Sequence, residues 1–154
     1  MTPRFGQPPL ARIAYRRRPG AYAVLWREGR LLLTHQTAPE PEFQLPGGGI
    51  DPGESPVRAL HREVFEETGY SIEGARLLGR YRRFCYMPDY GIHAEKLCAI
   101  WLARPVLRRS DPTEPGHSAH WVAPAEALDL LVDPGSRQML RRALRRLGVA
   151  CGVI

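Results

Sequence analysis

The sequence predicts a single α/β domain of the α+β kind, in which a β-sheet packs against helices. The chain has 154 residues, and domains commonly contain about 100 to 200 residues. Hydrophobic residues make up 44% and charged residues 25% of the chain, which is typical of globular proteins and argues against a disordered or fibrous one. Short apolar runs typical of strands alternate with segments whose apolar residues recur at helical spacing, so both kinds of element are expected.

The N-terminal part divides into an arm and the start of the folded domain. Residues 1–19 are rich in proline and arginine and have no periodicity, so we expect an N-terminal arm there and a domain at residues 20–154. The apolar runs 21–26 and 30–35 flank a Glu-Gly turn and predict a β-hairpin. A short strand is expected at residues 43–45, ending at a proline, and a glycine-rich loop follows it.

The clearest element is a helix over residues 56–68. Ser55 is a typical N-cap residue, Pro56 suits the first helical position, and Gly69 stands where a glycine would end the helix. The apolar face is expected to consist of residues at spacings of three and four: Val57, Leu60 and Val64. The acidic residues of the helix lie off this face, so we expect none of them in the core.

The second half of the chain predicts more of the sheet and two further helices. Residues 70–103 are expected to form two or three longer strands. A loop is expected at residues 104–118, a short strand at 120–122 and a short helix at 124–131, and a last helix runs from about 136 to 147. Arginines at helical spacing in the last helix favour a solvated face over a nucleic-acid-binding one: Arg141, Arg142, Arg145 and Arg146.

The charge balance points to phosphate-bearing partners. The formal net charge is +6, and nearly all the basic residues are arginine, with Lys96 as the single lysine. Cationic surfaces concentrate polyanions, and arginine is suited to bidentate contacts with phosphate. A solvated, arginine-rich surface without a specific partner has the same composition, so both interpretations stay open.

The cysteines and the hydropathy pattern predict a cytoplasmic protein that does not enter the membrane. Cys85, Cys98 and Cys151 form an odd set without CxxC spacing, so neither a disulfide framework nor a zinc site is expected. The longest apolar run, residues 97–103, is seven residues long, far short of the ~18 that a spanning helix needs. No secretory signal is recognised in the N-terminal region.

The most informative segment is residues 48–70, which combines a glycine loop, a helix and four glutamates. Glu63 is three residues from Glu66 and four from Glu67. Their carboxylates therefore crowd one end of the helix and repel one another. A hard divalent cation would remove this repulsion, and an all-oxygen set of ligands favours Mg²⁺ or Mn²⁺. The spacing therefore predicts a metal site.

Two neighbouring features are consistent with a ligand site. Glycines precede the helix at positions 47, 48, 49 and 53. They let the backbone bend sharply and approach a ligand closely, although a simple strand-to-helix turn would use them equally well. Arg62 is placed to pair with Glu54 or Glu66 and to fix the orientation of that carboxylate, with an ordinary surface ion pair as the alternative.

This segment resembles the Nudix box, G-x5-E-x7-R-E-U-x-E-E-x-G-U, in which U is a hydrophobic residue. The positions filled in register are Gly48, Glu54, Arg62, Glu63, Val64, Glu66, Glu67 and Gly69. Tyr70 departs from the pattern in being aromatic where an aliphatic residue is commoner. The order of strands on either side extends the resemblance over most of residues 20–133.

The resemblance implies a Nudix-type α/β/α sandwich with a mixed β-sheet. It also implies an enzyme that hydrolyses a nucleoside diphosphate linked to a moiety X, giving a nucleoside monophosphate and phosphorylated X. By position, the metal ligands for Mg²⁺ or Mn²⁺ would be Glu63, Glu66, Glu67 and the Gly48 carbonyl. Glu54 and Arg62 would brace the loop against the helix. Members of this family occur as monomers and as homodimers.

The general base that takes a proton from the attacking water has three candidates. Glu114 precedes Trp121 by seven residues, much as an additional acidic ligand precedes a tryptophan in some MutT-like members. Glu95 lies at the start of a strand, and Glu66 belongs to the box itself. We favour Glu114, for which an ordinary exposed loop acid is the alternative.

Substrate choice stays open at the level of the sequence. Aromatic residues that would stack a base, or equally belong to the core, are Phe84, Tyr86, Tyr90 and Trp101. Arg82 and Arg83 would clamp a phosphate or line a solvated strand edge. Two alternatives to a small-molecule pyrophosphohydrolase stay open. One is an RNA 5′ pyrophosphohydrolase, which the net positive charge of the chain favours. The other is a catalytically idle module that binds a ligand or nucleic acid.

Overall fold

The computed structural model describes residues 1–150, so Cys151 lies outside the described residues. The strands of this part of the chain are β1 (Arg16–Arg27), β2 (Arg30–Gln36), β3 (Glu42–Gln44), β4 (Gly47–Gly49), β5 (Tyr70–Met87), β6 (Ile92–Arg108) and β7 (His117–Val122). Its helices are α1 (Pro56–Thr68), α2 (Pro124–Leu130) and α3 (Pro134–Arg146). None of these helices is long and apolar enough to cross a lipid bilayer.

The strands form one mixed sheet. Its central order is β3-β2-β1-β6-β5, with β4 paired to β1 and β7 paired to β2. β1 and β6 are parallel, whereas the other named pairs are antiparallel. The expected mixed sheet is confirmed.

Helices cover both faces of this sheet. Leu60 and Val64 of α1 are fully buried in one cluster with Ala23 of β1. The next residue of β1, Val24, lies in a second cluster with Leu140 of α3. Successive side chains of a strand point to opposite faces, so α1 and α3 lie on opposite sides of the sheet. This arrangement is the expected α/β/α sandwich.

The hairpin and the first helix are confirmed, with one error in the helix face. Glu28 and Gly29 both have positive φ, 52° and 77°, in the two-residue turn between β1 and β2. The Ser55 side chain accepts a hydrogen bond from the Arg58 N–H, and Gly69 ends α1 in the left-handed conformation. Val57, however, is 39% exposed and does not belong to the buried face of the helix.

Several boundaries differ from the expectation because strand pairing extends the elements. β1 begins at Arg16, since it pairs with β6 from Arg16 onwards, so the last residues assigned to the arm belong to the sheet. β6 continues to Arg108 because it pairs with β5 up to that residue, and the following loop is correspondingly shorter. α3 begins at Pro134 because the Asp133 side chain caps the helix N-terminus.

The N-terminal arm follows the edge of the sheet at β5. The Phe5 N–H donates to the Arg82 carbonyl at 3.1 Å, and the Arg82 N–H donates to the Pro3 carbonyl at 2.9 Å. The Phe5 ring packs edge-on against Tyr81, with centroids 5.7 Å apart. The division into an arm and a domain at residue 20 stays a prediction.

Two of the four arginines expected on the solvated face of the last helix are exposed. Arg145 and Arg146 are exposed, and both lie in the final turn, where positive charge suits the helix dipole. Arg142 is partly buried and donates to the Leu78 carbonyl at 3.2 Å. Arg145 and Arg146 fit the solvated face expected from the sequence, whereas Arg142 instead contacts the sheet.

Candidate metal centre

Helix α1 and the loop before β7 bring the acidic side chains to one place. One carboxylate oxygen each from Glu63, Glu66 and Glu114 lie within 4.8 Å of one another. Glu67, Glu114 and His117 form a second such group, so Glu114 belongs to both. The crowding expected from the helical spacing is present, and a residue from a distant loop joins it.

Glu67 is the buried member of the cluster. Its exposed fraction is 5%, which corrects the expectation that all the acids of α1 avoid the core. The Gly47 N–H donates to Glu67 Oε1 at 3.0 Å. Burial raises the pKa of Glu67 well above its ordinary value; the bond from Gly47 opposes this shift, and the Glu114 and Glu63 carboxylates add to it. A cation at this position would favour the charged form of Glu67 and offset the repulsion from its acidic neighbours.

Gly48 lies directly against Glu63. A Cβ atom at position 48 would be 2.5 Å from the carboxyl carbon of Glu63, so only glycine allows the two to approach this closely. β4 holds Gly48 in place because it pairs with Ala21 of β1. Burial is also the main reason why the pKa of Glu63 is raised, while Arg62 opposes that shift.

Arg62 connects the acid cluster to the loop before α1. Its Nε and Nη2 atoms donate to the two oxygens of Glu54 at 2.8 and 2.9 Å, which is a bidentate pair. Its Nη1 atom donates to Glu63 at 2.9 Å and to Glu66 at 3.3 Å, and Nη2 also donates to the Gly49 carbonyl at 3.0 Å. One guanidinium thus contacts the loop and two members of the cluster, and these contacts include the pairs with Glu54 and Glu66 that the sequence suggested.

The hydrogen bonds from Arg62 lower the pKa of Glu54 to about 2, with further help from the Asp51 N–H. A carboxyl whose pKa is lowered on folding stabilises the protein above its unfolded-state pKa, near 4.5, and this contribution disappears as the pH falls towards 2. We therefore expect Glu54→Gln to lower the free energy of unfolding at pH 7 and to flatten its decline between pH 5 and pH 2. Urea unfolding at a series of pH values measures both effects; parallel curves for the two proteins would contradict this prediction.

The loop between β6 and β7 is fixed to the end of α1. The Thr113 and Glu114 N–H groups both donate to the Glu66 carbonyl, at 2.8 and 2.9 Å, and the Arg109 N–H donates to the Gly69 carbonyl at 2.8 Å. This attachment places the Glu114 side chain over the cluster. Its Oε2 atom is buried and has no hydrogen-bond partner among the described residues. A buried acceptor without a donor is a position that a cation would satisfy.

His117 is a member of the site that sequence reasoning missed. Its Nδ1 atom lies 3.0 Å from Thr34 Oγ1 and 3.7 Å from Glu67 Oε2, and its Nε2 atom lies 3.9 Å from Glu114. The spacing of three residues from Glu114 was the available signal, but the sequence placed His117 in a loop. It is instead the first residue of β7, which pairs with β2 and turns the imidazole towards α1.

The other candidate base, Glu95, lies elsewhere. It is in β6, in register with Arg17 of β1 and Phe84 of β5, and it is in neither of the metal-ligating groups found in residues 1–150. Of the three candidates, Glu66 and Glu114 lie in the cluster.

A cleft of about 690 Å³ opens beside Gly48 and Glu63 and extends along the sheet. Tyr22, Phe43 and Tyr90 contribute aromatic surface to it, and Lys96 and Arg83 contribute positive charge. Of the aromatic residues considered for base stacking, Tyr90 lies in this cleft, whereas Trp101 packs on the α1 side of the sheet. Tyr86 is 54% exposed.

The donor atoms of the cluster suit a hard divalent cation. Four carboxylates surround the site, with a single imidazole at its edge. Oxygen-rich sites favour Mg²⁺ and Mn²⁺, whereas soft metals prefer thiolates, and the described cysteines, Cys85 and Cys98, are absent from both groups. The buried acceptor on Glu114 and the contact between Gly48 and Glu63 fit the same interpretation.

Comparison with protein-family models matches residues 16–143 to the NUDIX domain. The chain is 39% identical over 64 residues to a putative 8-oxo-dGTP diphosphatase from Bacillus subtilis, covering 42% of this chain and 43% of that protein. It is 40% identical over 58 residues to an RNA pyrophosphohydrolase from Proteus mirabilis, covering 38% of this chain and 32% of that protein. The chain therefore matches less than half the length of each of these relatives.

Solved structures show the same fold. A MutT NUDIX hydrolase from Burkholderia pseudomallei is 30% identical, with a TM-score of 0.62, and the match covers 82% of this chain and 98% of that one. A NUDIX hydrolase from Nitrosomonas europaea has a TM-score of 0.71 at 23% identity, and the match covers 85% of this chain and 90% of that one.

Proposed function

The chain belongs to the Nudix family, and from this membership we propose that it is a divalent-metal-dependent pyrophosphohydrolase. Its substrate is a nucleoside diphosphate linked to a moiety X, and its products are a nucleoside monophosphate and phosphorylated X. The observation that supports this most is the convergence of the α1 carboxylates with Glu114 beside an open cleft. A purely ligand-binding module has no need of such a costly group of acids.

The residues of the cluster divide into ligands and residues that position them. Glu63, Glu66 and Glu67 would hold Mg²⁺ or Mn²⁺, with the Gly48 carbonyl as a further ligand. A metal held there would supply charge neutralisation at the diphosphate and would lower the pKa of a bound water, so that water could attack phosphorus near neutral pH. Arg62 holds two of the carboxylates in place, and Glu54 holds Arg62.

Glu114 is our proposal for the general base. Its position over the cluster, on a loop fixed to the Glu66 carbonyl, supports this role. His117 lies within 3.9 Å of Glu114 and would orient the carboxylate or relay its proton. Glu66 stays the alternative base.

Turnover is expected to require a divalent cation and to yield a monophosphate product. The test is product analysis by chromatography, with Mg²⁺ or Mn²⁺, over ADP-ribose, nucleotide sugars, dinucleoside polyphosphates, nucleoside triphosphates and 5′-triphosphorylated RNA. Excess chelator should abolish turnover and added Mg²⁺ or Mn²⁺ should restore it. Full activity in the chelator, or binding without cleavage of any of these compounds, would contradict the proposal.

A second candidate is an RNA 5′ pyrophosphohydrolase. The similarity to an RNA pyrophosphohydrolase from Proteus mirabilis and the net charge of +6 favour it. Binding of an RNA chain would show a steep loss of affinity with increasing salt, because each phosphate contact releases a counterion. A small nucleotide, with fewer phosphates, would show a shallow dependence.

We also propose that the protein works in the cytoplasm. Cys85 and Cys98 are both free thiols in the described part of the chain, and a reducing compartment suits them. The monomeric or homodimeric state expected from the family stays a prediction.

A further inference from the structure

Three cationic side chains lie side by side in the cleft. Arg18 of β1 is in register with Lys96 of β6, and Lys96 is in register with Arg83 of β5. Residues paired in this way across neighbouring strands point to the same face of a sheet. All three line the cleft, and all three are partly buried. We call these residues the cationic row.

Like charges directly opposite one another destabilise a sheet, so the cationic row is costly without a counterion. None of the ion pairs within 4.0 Å in the part of the chain that the structure describes involves Lys96 or Arg18. Arg18 instead lies over the Tyr90 ring, 4.6 Å from its centroid, and Lys96 faces the Tyr22 ring at 5.9 Å. Among residues 1–150, the charges of these two side chains therefore have no carboxylate partner.

Within residues 1–150, Arg83 is the member of the row that has a carboxylate within 4.0 Å, and that contact is weak. Its Nε atom lies 3.9 Å from Asp133 Oδ1. Asp133 mainly serves other groups: it caps α3 and accepts hydrogen bonds from Tyr81 and Ser136. This contact leaves most of the positive charge of the row free to attract an anion.

The sheet register gives the position of the row relative to the metal centre. Gly48 is in register with Ala21, and Ala21 with Ala99, so β4 and β6 are two strand spacings apart. Lys96 is three residues along β6 from Ala99. With about 4.8 Å between strands and about 3.3 Å per residue, the backbone of Lys96 is roughly 14 Å from that of Gly48. Gly48 faces Glu63 on the α1 side of the sheet, whereas Lys96 lies in step with Cys98 and Ile100 and faces the α3 side. The cleft is lined by both Lys96 and Glu63, so a ligand about as long as one nucleoside with its phosphates can lie between the row and the acid cluster.

We propose that Arg18, Lys96 and Arg83 bind a second phosphate of the substrate, about one nucleoside away from the diphosphate that is hydrolysed. This inference rests on the proposed function, because the cleft connects the row to the acid cluster. Lysine and arginine side chains only donate hydrogen bonds. They therefore suit a phosphate, whose oxygens accept hydrogen bonds, and not a neutral amine. The phosphate has two possible sources: a 3′-phosphate on a small nucleotide, or the first internucleotide phosphate of a 5′-phosphorylated RNA.

Binding of product-like nucleotides tests the row without any hydrolysis. Adenosine 3′,5′-bisphosphate should bind about tenfold more tightly than adenosine 5′-monophosphate, as measured by calorimetry with Mg²⁺ present. Lys96→Met should remove this preference, and Lys96→Arg should keep most of it. Arg146→Met, which removes a charge from the exposed end of α3, is the matched control and should leave the preference intact. An equal affinity for the two nucleotides, or a preference that Lys96→Met leaves unchanged, would overturn the proposal.

The stability of the Lys96→Met protein separates binding from a structural role. Removing the central charge relieves the repulsion within the row, so the melting temperature should stay the same or rise. A fall in melting temperature, together with an equal loss of affinity for both nucleotides, would mean that Lys96 supports the fold.

The source of the phosphate is distinguished by KM values for three substrates: ATP, ATP carrying a 3′-phosphate, and the dinucleotide pppApG. If the 3′-phosphate of the modified ATP alone lowers KM, the natural substrate is a small nucleotide. If KM is lowered for pppApG, the natural substrate is an RNA. In either case, Lys96→Met should raise the lowered KM about tenfold. Three equal KM values would overturn the proposal while leaving pyrophosphohydrolase activity established. A bisphosphate preference in a protein that hydrolyses none of the three would support the row and contradict the proposed function.

Discussion

Replacing Glu66 with glutamine is expected to lower kcat by about 10³-fold or more while leaving the fold intact. The Glu66 carboxylate lies with those of Glu63 and Glu114 around one point, where a neutral amide would offer a weaker ligand and no base. Arg62 loses only its 3.3 Å bond to Glu66 and keeps its pair with Glu54. The Glu66 side chain is 35% exposed, so the substitution removes no buried contact.

Steady-state kinetics and thermal unfolding of the same preparations check this expectation. Glu95→Gln is the matched control, because it removes the same charge from a strand residue outside the cluster, and it should retain full turnover. Glu114→Gln should lose about 10²-fold if Glu114 is the base, with a smaller effect on KM. Retention of full turnover by the Glu66→Gln protein would show that the acid cluster is not the catalytic site.

The parts of the fold that local chemistry specifies could be predicted from the sequence. The caps at Ser55 and Gly69 depend on nearest neighbours, and they fixed the bounds of α1. The Glu28-Gly29 turn is likewise local, so the hairpin was predictable. The positions of the acids within the box follow from helical spacing alone, which is why most of the cluster could be anticipated.

The parts that depend on long-range pairing could not be predicted in this way. Glu67 of α1 is buried against the N–H of Gly47, which lies twenty residues earlier in β4. His117 reaches the cluster only because β7 pairs with β2. The cationic row requires the register of three strands to be known, since Arg18 and Lys96 are far apart in the chain.

Gly69 ends α1 and packs against the loop that carries Glu114, so its substitution is expected to affect both stability and activity. It ends α1 with φ of +78°, and a Cβ atom there would lie 1.8 Å from the Ser110 carbonyl oxygen. Gly69→Ala would therefore face two costs: the left-handed conformation, at about 1 to 2 kcal/mol, and a backbone clash comparable to overpacking, at about 1 to 3 kcal/mol. We expect the free energy of unfolding to fall by roughly 2 to 5 kcal/mol, as measured by urea denaturation.

Gly74→Ala separates the two costs of this substitution. Gly74 also has a positive φ, +65°, but an added Cβ would meet no atom within 4 Å, so only the conformational cost of about 1 to 2 kcal/mol applies. The clash at position 69 can be relieved only by moving the segment around Ser110, which is bonded to α1 through Arg109 and Glu114. Gly69→Ala should therefore also lower kcat under conditions where the protein is folded, whereas Gly74→Ala should not. Equal losses of stability in the two variants, with unchanged kcat, would mean that the loop moves independently of the end of α1 and that Glu114 does not depend on this anchor.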